Sequence, residues 1–157
     1  MQAASIRFGG DETFHLPPEA LFSVLTDLRA IAERMPDVSH VQTLDAQAVR
    51  CVVHPRFSFF KGTLKQEMRW VELNPPASGQ LQIHAHGIGL EVQCSAELRV
   101  APHPDGAQLA WSAAVDQMRG LLTSISPTLV GASAEAVIRD VIEQLRQRLT
   151  EPADAAC

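Results

Sequence analysis

The sequence has no tyrosine, two tryptophans, and three cysteines that stand far apart, at positions 51, 94 and 157. It contains no CxxC pair and no Cys/His cluster with zinc-ligand spacing, so we predict free thiols, no metal site and no cofactor. No apolar run approaches the roughly 18–20 residues that cross a bilayer. The opening stretch MQAASIRFGG lacks the apolar core of a signal peptide, so we expect a cytoplasmic protein.

Basic residues are also scarce, since 13 Lys and Arg stand against 18 Asp and Glu for a net charge of -5. This balance argues against nucleic acid as a partner. With 157 residues and an apolar share of 46%, the chain can bury a core without disulfides or metal. We predict one domain over residues 1–150 and a short tail over 151–157.

The hydrophobic pattern changes period along the chain. PPEALFSVLTD and LRAIAERMP are typical of two short helices after a first strand, and a second apolar stripe at helical spacing runs from about Ser126 to Leu149. Between Val38 and Met118 apolar and polar residues alternate instead, most cleanly in LEVQCSAELRV. We therefore predict an α+β protein in which the long last helix covers the dry face of a six- or seven-stranded antiparallel sheet.

Three stretches carry a resemblance to a known family. LPPEALFSVLTDLRAIAERMPDV, FSFFKGTLKQEMRWVELNPP and GLLTSISPTLVGASAEAVIRDVIEQLRQRL, in this order, are similar to segments of the CoxG family, which is named for a subunit of carbon monoxide dehydrogenase. That family belongs to the START-related, birch-pollen-allergen-like superfamily, often called SRPBCC. The resemblance covers residues 6–149 and implies the helix-grip fold, a curved antiparallel sheet wrapped around a long C-terminal helix with an apolar cavity between them.

The resemblance also implies classes of partner. Members of the superfamily bind lipids, hormones, polyketides or other hydrophobic molecules, and a minority catalyse reactions on them. The CoxG family is linked to membrane recruitment of a molybdenum enzyme, commonly through an extended C-terminal tail. This chain departs from that pattern, because only TEPADAAC follows Leu149. A peripheral contact with a membrane or a protein complex stays open, as does the oligomeric state.

Strand and helix register together predict the lining of the cavity. The strand residues fall on one face by alternation, the helix residues fall on one stripe, and two phenylalanines lie beside the Lys-Gly turn. An alternative interpretation is that the same residues only complete a packed core. The predicted ligand-binding residues are Phe57, Phe59, Leu64, Met68, Trp70, Ile83, Leu90, Val92, Trp111, Ala113, Val130, Ala134, Val137 and Val141.

Polar candidates are few. Alternation places Gln66 and Gln117 on the inner face, where they could orient a ligand, and Glu12 near its mouth. His84 and His86 share the outer face, where we expect a solvated pair. Arg146 is expected on the exposed side of the last helix.

Three functions follow from these observations. The first is non-enzymatic binding, in a carrier or recruitment role, of a hydrophobic small molecule such as a lipid or quinone. The second is a cyclase- or dehydratase-type enzyme, which needs a buried acid or base. The third is an assembly module for a molybdenum hydroxylase-type complex.

Overall fold

The computed structural model describes residues 6–35, 37–54, 62–120 and 126–150. Their seven strands form one curved antiparallel sheet in the order β1-β7-β6-β5-β4-β3-β2. The predicted α+β helix-grip fold is confirmed. The elements are β1 (Ile6–Phe14), α1 (Pro18–Leu25), α2 (Leu28–Arg34), β2 (Val38–Asp45), β3 (Ala48–Val53), β4 (Leu64–Asn74), β5 (Ser78–Gly87), β6 (Leu90–His103), β7 (Gly106–Gly120) and α3 (Pro127–Thr150).

Local sequence signals set the starts of the helices. Pro18 opens α1, where its missing N–H costs no helical hydrogen bond. The Asp27 side chain accepts a 3.1 Å hydrogen bond from the Ala30 amide and caps α2. The Ser126 hydroxyl accepts a 3.3 Å bond from the Leu129 amide and caps α3.

The period-two pattern corresponds to aligned rows across the sheet. One row runs from Phe8 through Ala113, Ala96 and Leu81 to Trp70, each residue directly opposite the next. Because side chains alternate between faces along a strand, these five point to the inner face together. The predicted inward register of β4 to β7 is therefore confirmed for this part of the sheet.

A β-bulge in β7 changes the register near its end. Cys94 lies opposite Val115, whereas the preceding Gln93 lies opposite Gln117, so β7 carries one extra residue at this point. Met118 consequently lies opposite Val92 and packs with it. The prediction that Gln117 faces inward is wrong, because strict alternation takes no account of a bulge.

Three groups of buried residues form the core of the described part of the chain. We call them after an element or residue that each contains. The α1 cluster comprises Phe14, Leu21, Phe22, Leu25, Val100, Ala107, Leu109, Trp111, Ala113 and Leu145. The α2 cluster comprises Leu28, Ala32, Val49, Cys51, Met68 and Trp70. The Val130 cluster comprises Leu64, Ala85, Leu90 and Val130.

Polar contacts fix the C-terminal half of α3 to β1. Arg146 donates a 2.6 Å hydrogen bond to the Thr13 carbonyl and a 2.7 Å bond to the Glu12 carboxylate. Its guanidinium carbon also lies 4.6 Å from the centre of the Phe14 ring. The expectation that Arg146 lies on the exposed side of the helix is wrong, because Glu12 and the Thr13 carbonyl bind its long side chain at the sheet.

Candidate functional site between the sheet and helix α3

The clusters leave a region between them on the inner face. Along β4, Leu64 belongs to the Val130 cluster and Met68 to the α2 cluster, and Gln66 lies between the two. On β6, Cys94 occupies the corresponding place between Val92 and Leu98 and is only half-buried. The middle of the sheet is thus less tightly covered than its two ends.

Helix α3 shows the same pattern along its apolar stripe. Val130 near its start is 5% exposed and Leu145 near its end is 2% exposed. Ala134 and Val137, which lie between them, are half-buried and belong to no cluster. A helix lying flush on a sheet would bury its middle as deeply as its ends. We call the half-buried set Gln66, Ile83, Val92, Cys94, Ala134 and Val137 the grip region.

The predicted ligand-binding residues fall into three groups. Those that are fully buried in clusters are Leu64, Met68, Trp70, Leu90, Trp111, Ala113 and Val130. Those that are half-buried are Ile83, Val92, Ala134, Val137 and Val141. Phe57 and Phe59 lie outside the described residues, and so does the aromatic corner they form in the sequence.

Hydrogen bonding distinguishes the two indole groups of the inner face. Trp70 donates a 3.1 Å bond to the Thr26 carbonyl, which ties β4 to the junction of α1 and α2. Trp111 has no acceptor for its indole N–H among the described residues. Its ring instead packs edge-to-face with Phe8, with 6.1 Å between the ring centres. The Trp111 nitrogen is enclosed by protein, so we count this residue as core.

The inner face carries two polar groups of opposite standing. Glu12 lies opposite Leu109, which places it inward as predicted, and its carboxylate is bound by Arg146. Gln66 lies between Cys51 and Ala85 in the sheet, and its amide nitrogen lies 3.9 Å from the thioether sulfur of Met35. Sequence reasoning missed Arg146, although its position four residues after Ile142 places it on the flank of the apolar stripe.

Both described cysteines are free thiols on the inner face. Burial raises the pKa of Cys51 to about 11. Burial, with a smaller contribution from the Asp116 charge, raises the pKa of Cys94 to about 12. Both thiols are therefore protonated at neutral pH, and a protonated thiol is a poor nucleophile.

The outer face is a mixed charged surface. His84 Nε2 lies 2.5 Å from a Glu91 oxygen, and the His84 and His86 rings stand 5.4 Å apart. The hydrogen bond from His84 lowers the pKa of the Glu91 carboxyl. Among the described residues no group of three or more such side chains could hold a metal ion. No described helix is both long and apolar enough to span a membrane.

A shallow depression of about 430 Å3 lies on this outer face, over the pairing of β1, β7 and β6. Charged side chains and small residues line it, so its chemistry differs from the apolar grip region on the other side of the sheet. The lining residues are Gly9, Gly10, Asp11, Glu97, Arg99, Ala110, Trp111 and Ser112.

Solved structures share this architecture. A conserved protein from Geobacillus kaustophilus superimposes with a TM-score of 0.82 at 15% identity, over 91% of this chain and 94% of that chain. A START superfamily protein from Mycobacterium smegmatis gives a TM-score of 0.68 at 10% identity, over 91% and 96%. The protein Ara h 8.0201 gives 0.70 at 11% identity, over 92% and 97%. At these identities the similarity shows the fold alone.

A family model extends the comparison to the sequence. No protein with a curated description matches the chain. The model that describes CoxG, a subunit of carbon monoxide dehydrogenase, matches residues 10–150, which include every helix and nearly the whole sheet. The chain therefore belongs to the CoxG family of carbon monoxide dehydrogenase subunits.

Proposed function

We propose that the protein binds a hydrophobic small molecule, such as a lipid or quinone, in the grip region between α3 and the sheet. The observation that carries this proposal is the burial pattern of α3, whose apolar stripe is buried at Val130 and Leu145 but half-buried at Ala134 and Val137. Family membership and the similarity to a START superfamily protein support the same function.

The chemistry of the wall suits an apolar ligand. Ile83, Val92, Ala134 and Val137 supply aliphatic surface, and each Å2 of apolar ligand surface that they cover contributes about 25 cal/mol before ordering costs. The half-buried state of these side chains in the free protein means that a ligand can still remove accessible surface from water. Binding therefore has a source of free energy that a closed core would already have used.

The inward polar groups favour binding over catalysis. The Glu12 carboxylate is bound by Arg146, and the raised pKa values keep the Cys51 and Cys94 thiols protonated. None of these three groups is poised as a base or nucleophile at neutral pH. We propose a carrier or recruitment role in the cytoplasm, where free thiols are the rule.

Two alanines on opposite sides of the cluster boundary provide the test. Ala134→Phe places a ring in the grip region, so we expect a neutral fluorescent probe such as N-phenyl-1-naphthylamine to bind at least tenfold more weakly. Ala113 is 7% exposed within the α1 cluster, so Ala113→Phe should overpack the core and cost about 1–3 kcal/mol of stability.

Probe titration and urea unfolding are measured on both variants. The proposal requires that Ala134→Phe loses probe affinity while its free energy of unfolding stays close to that of the wild type. Probe binding that is absent in the wild type, or unchanged in Ala134→Phe, would show that the ligand site is not there.

A further inference from the structure

The Gln66 amide is the polar group of the grip region whose hydrogen bonding is least complete. It lies on β4 between the Val130 cluster and the α2 cluster, and it is half-buried. Its nitrogen reaches the sulfur of Met35 at 3.9 Å, and a thioether is a weak acceptor. Among the described residues no partner is found for its oxygen. An amide can donate two hydrogen bonds and accept two, and a half-buried amide that makes none of them well is costly.

The charge on the inner face limits what can meet this amide. The described inward-facing residues carry one cation, Arg146, and Glu12 and the Thr13 carbonyl already bind it. Arg146 also lies at the C-terminal end of α3, beside the α1 cluster rather than between the clusters. A carboxylate or phosphate on the ligand would therefore lose its hydration next to Gln66 without gaining an opposite charge, which disfavours an anionic group.

We propose that Gln66 is a specificity-determining residue that hydrogen-bonds a carbonyl or hydroxyl oxygen on an otherwise apolar, uncharged ligand. This inference rests on the proposed function and adds the chemistry of the ligand's polar group. The amide serves either group, because its N–H donates to a carbonyl and its oxygen accepts from a hydroxyl. The surrounding side chains Cys51, Met68 and Ala85 are buried and supply the apolar remainder of the contact.

The experiment uses displacement of the neutral probe N-phenyl-1-naphthylamine by three ligands of equal chain length. These are 1-tetradecanol, 2-tetradecanone and tetradecanoate, compared at pH 8 so that the acid is ionised. In the wild type we expect the alcohol and the ketone to displace the probe at least tenfold more effectively than the carboxylate. Gln66→Leu should weaken alcohol and ketone binding about five- to tenfold and leave probe affinity within twofold.

A matched control and a stability measurement separate specificity from a structural role. Gln117→Leu changes the same side chain on the outer side of the β7 bulge and should leave all affinities unchanged. Thermal unfolding should show Gln66→Leu to be as stable as the wild type, since the amide makes only the weak contact with Met35. Gln66→Met provides a second isosteric variant with the same expected selectivity.

Two results would overturn the inference, and they are distinct. If the probe binds the wild type but Gln66→Leu and Gln66→Met keep the wild-type preference among the three ligands, Gln66 does not set specificity. Tighter binding of tetradecanoate than of the ketone by the wild type would also contradict an uncharged ligand. If the probe fails to bind the wild type at all, the proposed function itself falls.

Discussion

Replacing Arg146 with methionine should destabilise the protein more than any other single charge removal on α3. Arg146 joins the helix to the edge strand through hydrogen bonds of 2.6 Å and 2.7 Å and through its contact with the Phe14 ring. Methionine keeps the apolar stem and a comparable helix propensity, so the loss is confined to the guanidinium group. The variant therefore isolates the polar attachment of α3 to the sheet.

The magnitude follows from the exposure of the pair. The Arg146 and Glu12 side chains are 31% and 22% exposed, so the pair is shielded from water more than a surface ion pair but less than a core one. Hydrogen bonds to charged groups contribute about 1.5–3 kcal/mol, and a ring contact adds about 0.5–1 kcal/mol. After partial rehydration of Glu12 we expect a loss of about 2–3 kcal/mol, which lowers Tm by about 4–12 °C for a chain of this size.

The same helix offers a matched control. Arg139 pairs with Glu135 one turn away at 2.7 Å, but its side chain is 55% exposed. Arg139→Met should therefore cost only about 0.3–0.5 kcal/mol in urea unfolding. A double-mutant cycle with Glu12→Gln should return a coupling energy above about 1 kcal/mol. If Arg146→Met costs no more than Arg139→Met, the attachment of α3 does not depend on this contact.

Two further predictions concern titration. Because Cys51 and Cys94 have pKa values raised from 9.0 to about 11 and 12, their contribution to stability is complete below pH 9 and is lost as the pH rises towards those values. Urea unfolding from pH 8 to 11 should show this decline, a Cys51→Ala, Cys94→Ala variant should show less of it, and an equal slope in both would refute the assignment. Carbon NMR should give Glu91 a pKa below its ordinary 4.5, which His84→Ala raises more than His86→Ala, and equal effects of the two would contradict the role of the His84 bond.

The sheet was predictable because its signal is local. Alternation around Leu98 and Trp111 fixes which face of each strand is dry, and the apolar stripe of the last segment can cover only that face. The Pro17-Pro18 pair and Ser126 likewise mark helix starts within a few residues. Each of these features is decided by neighbours along the chain.

The errors arose where distant residues decide the outcome. Gln117 faces outward because a bulge inserts one residue opposite β6, and no turn residue in the sequence marks that bulge. Arg146 is drawn to the sheet by Glu12, which lies 134 positions earlier in the chain. The division of the inner face into clusters depends on packing among several elements, so the sequence predicted the lining residues as one set without the half-buried region between them.

The bulge in β7 gives the wall of the grip region an unusual sensitivity to chain length. With the bulge, Met118 meets Val92 on the inner face and Gln117 turns away. Deleting Asp116 would restore strict alternation and exchange that thioether for an amide without changing any other residue. A single-residue deletion in this strand therefore acts as a polar substitution, and relatives that differ in length here would differ in the polarity offered to a ligand.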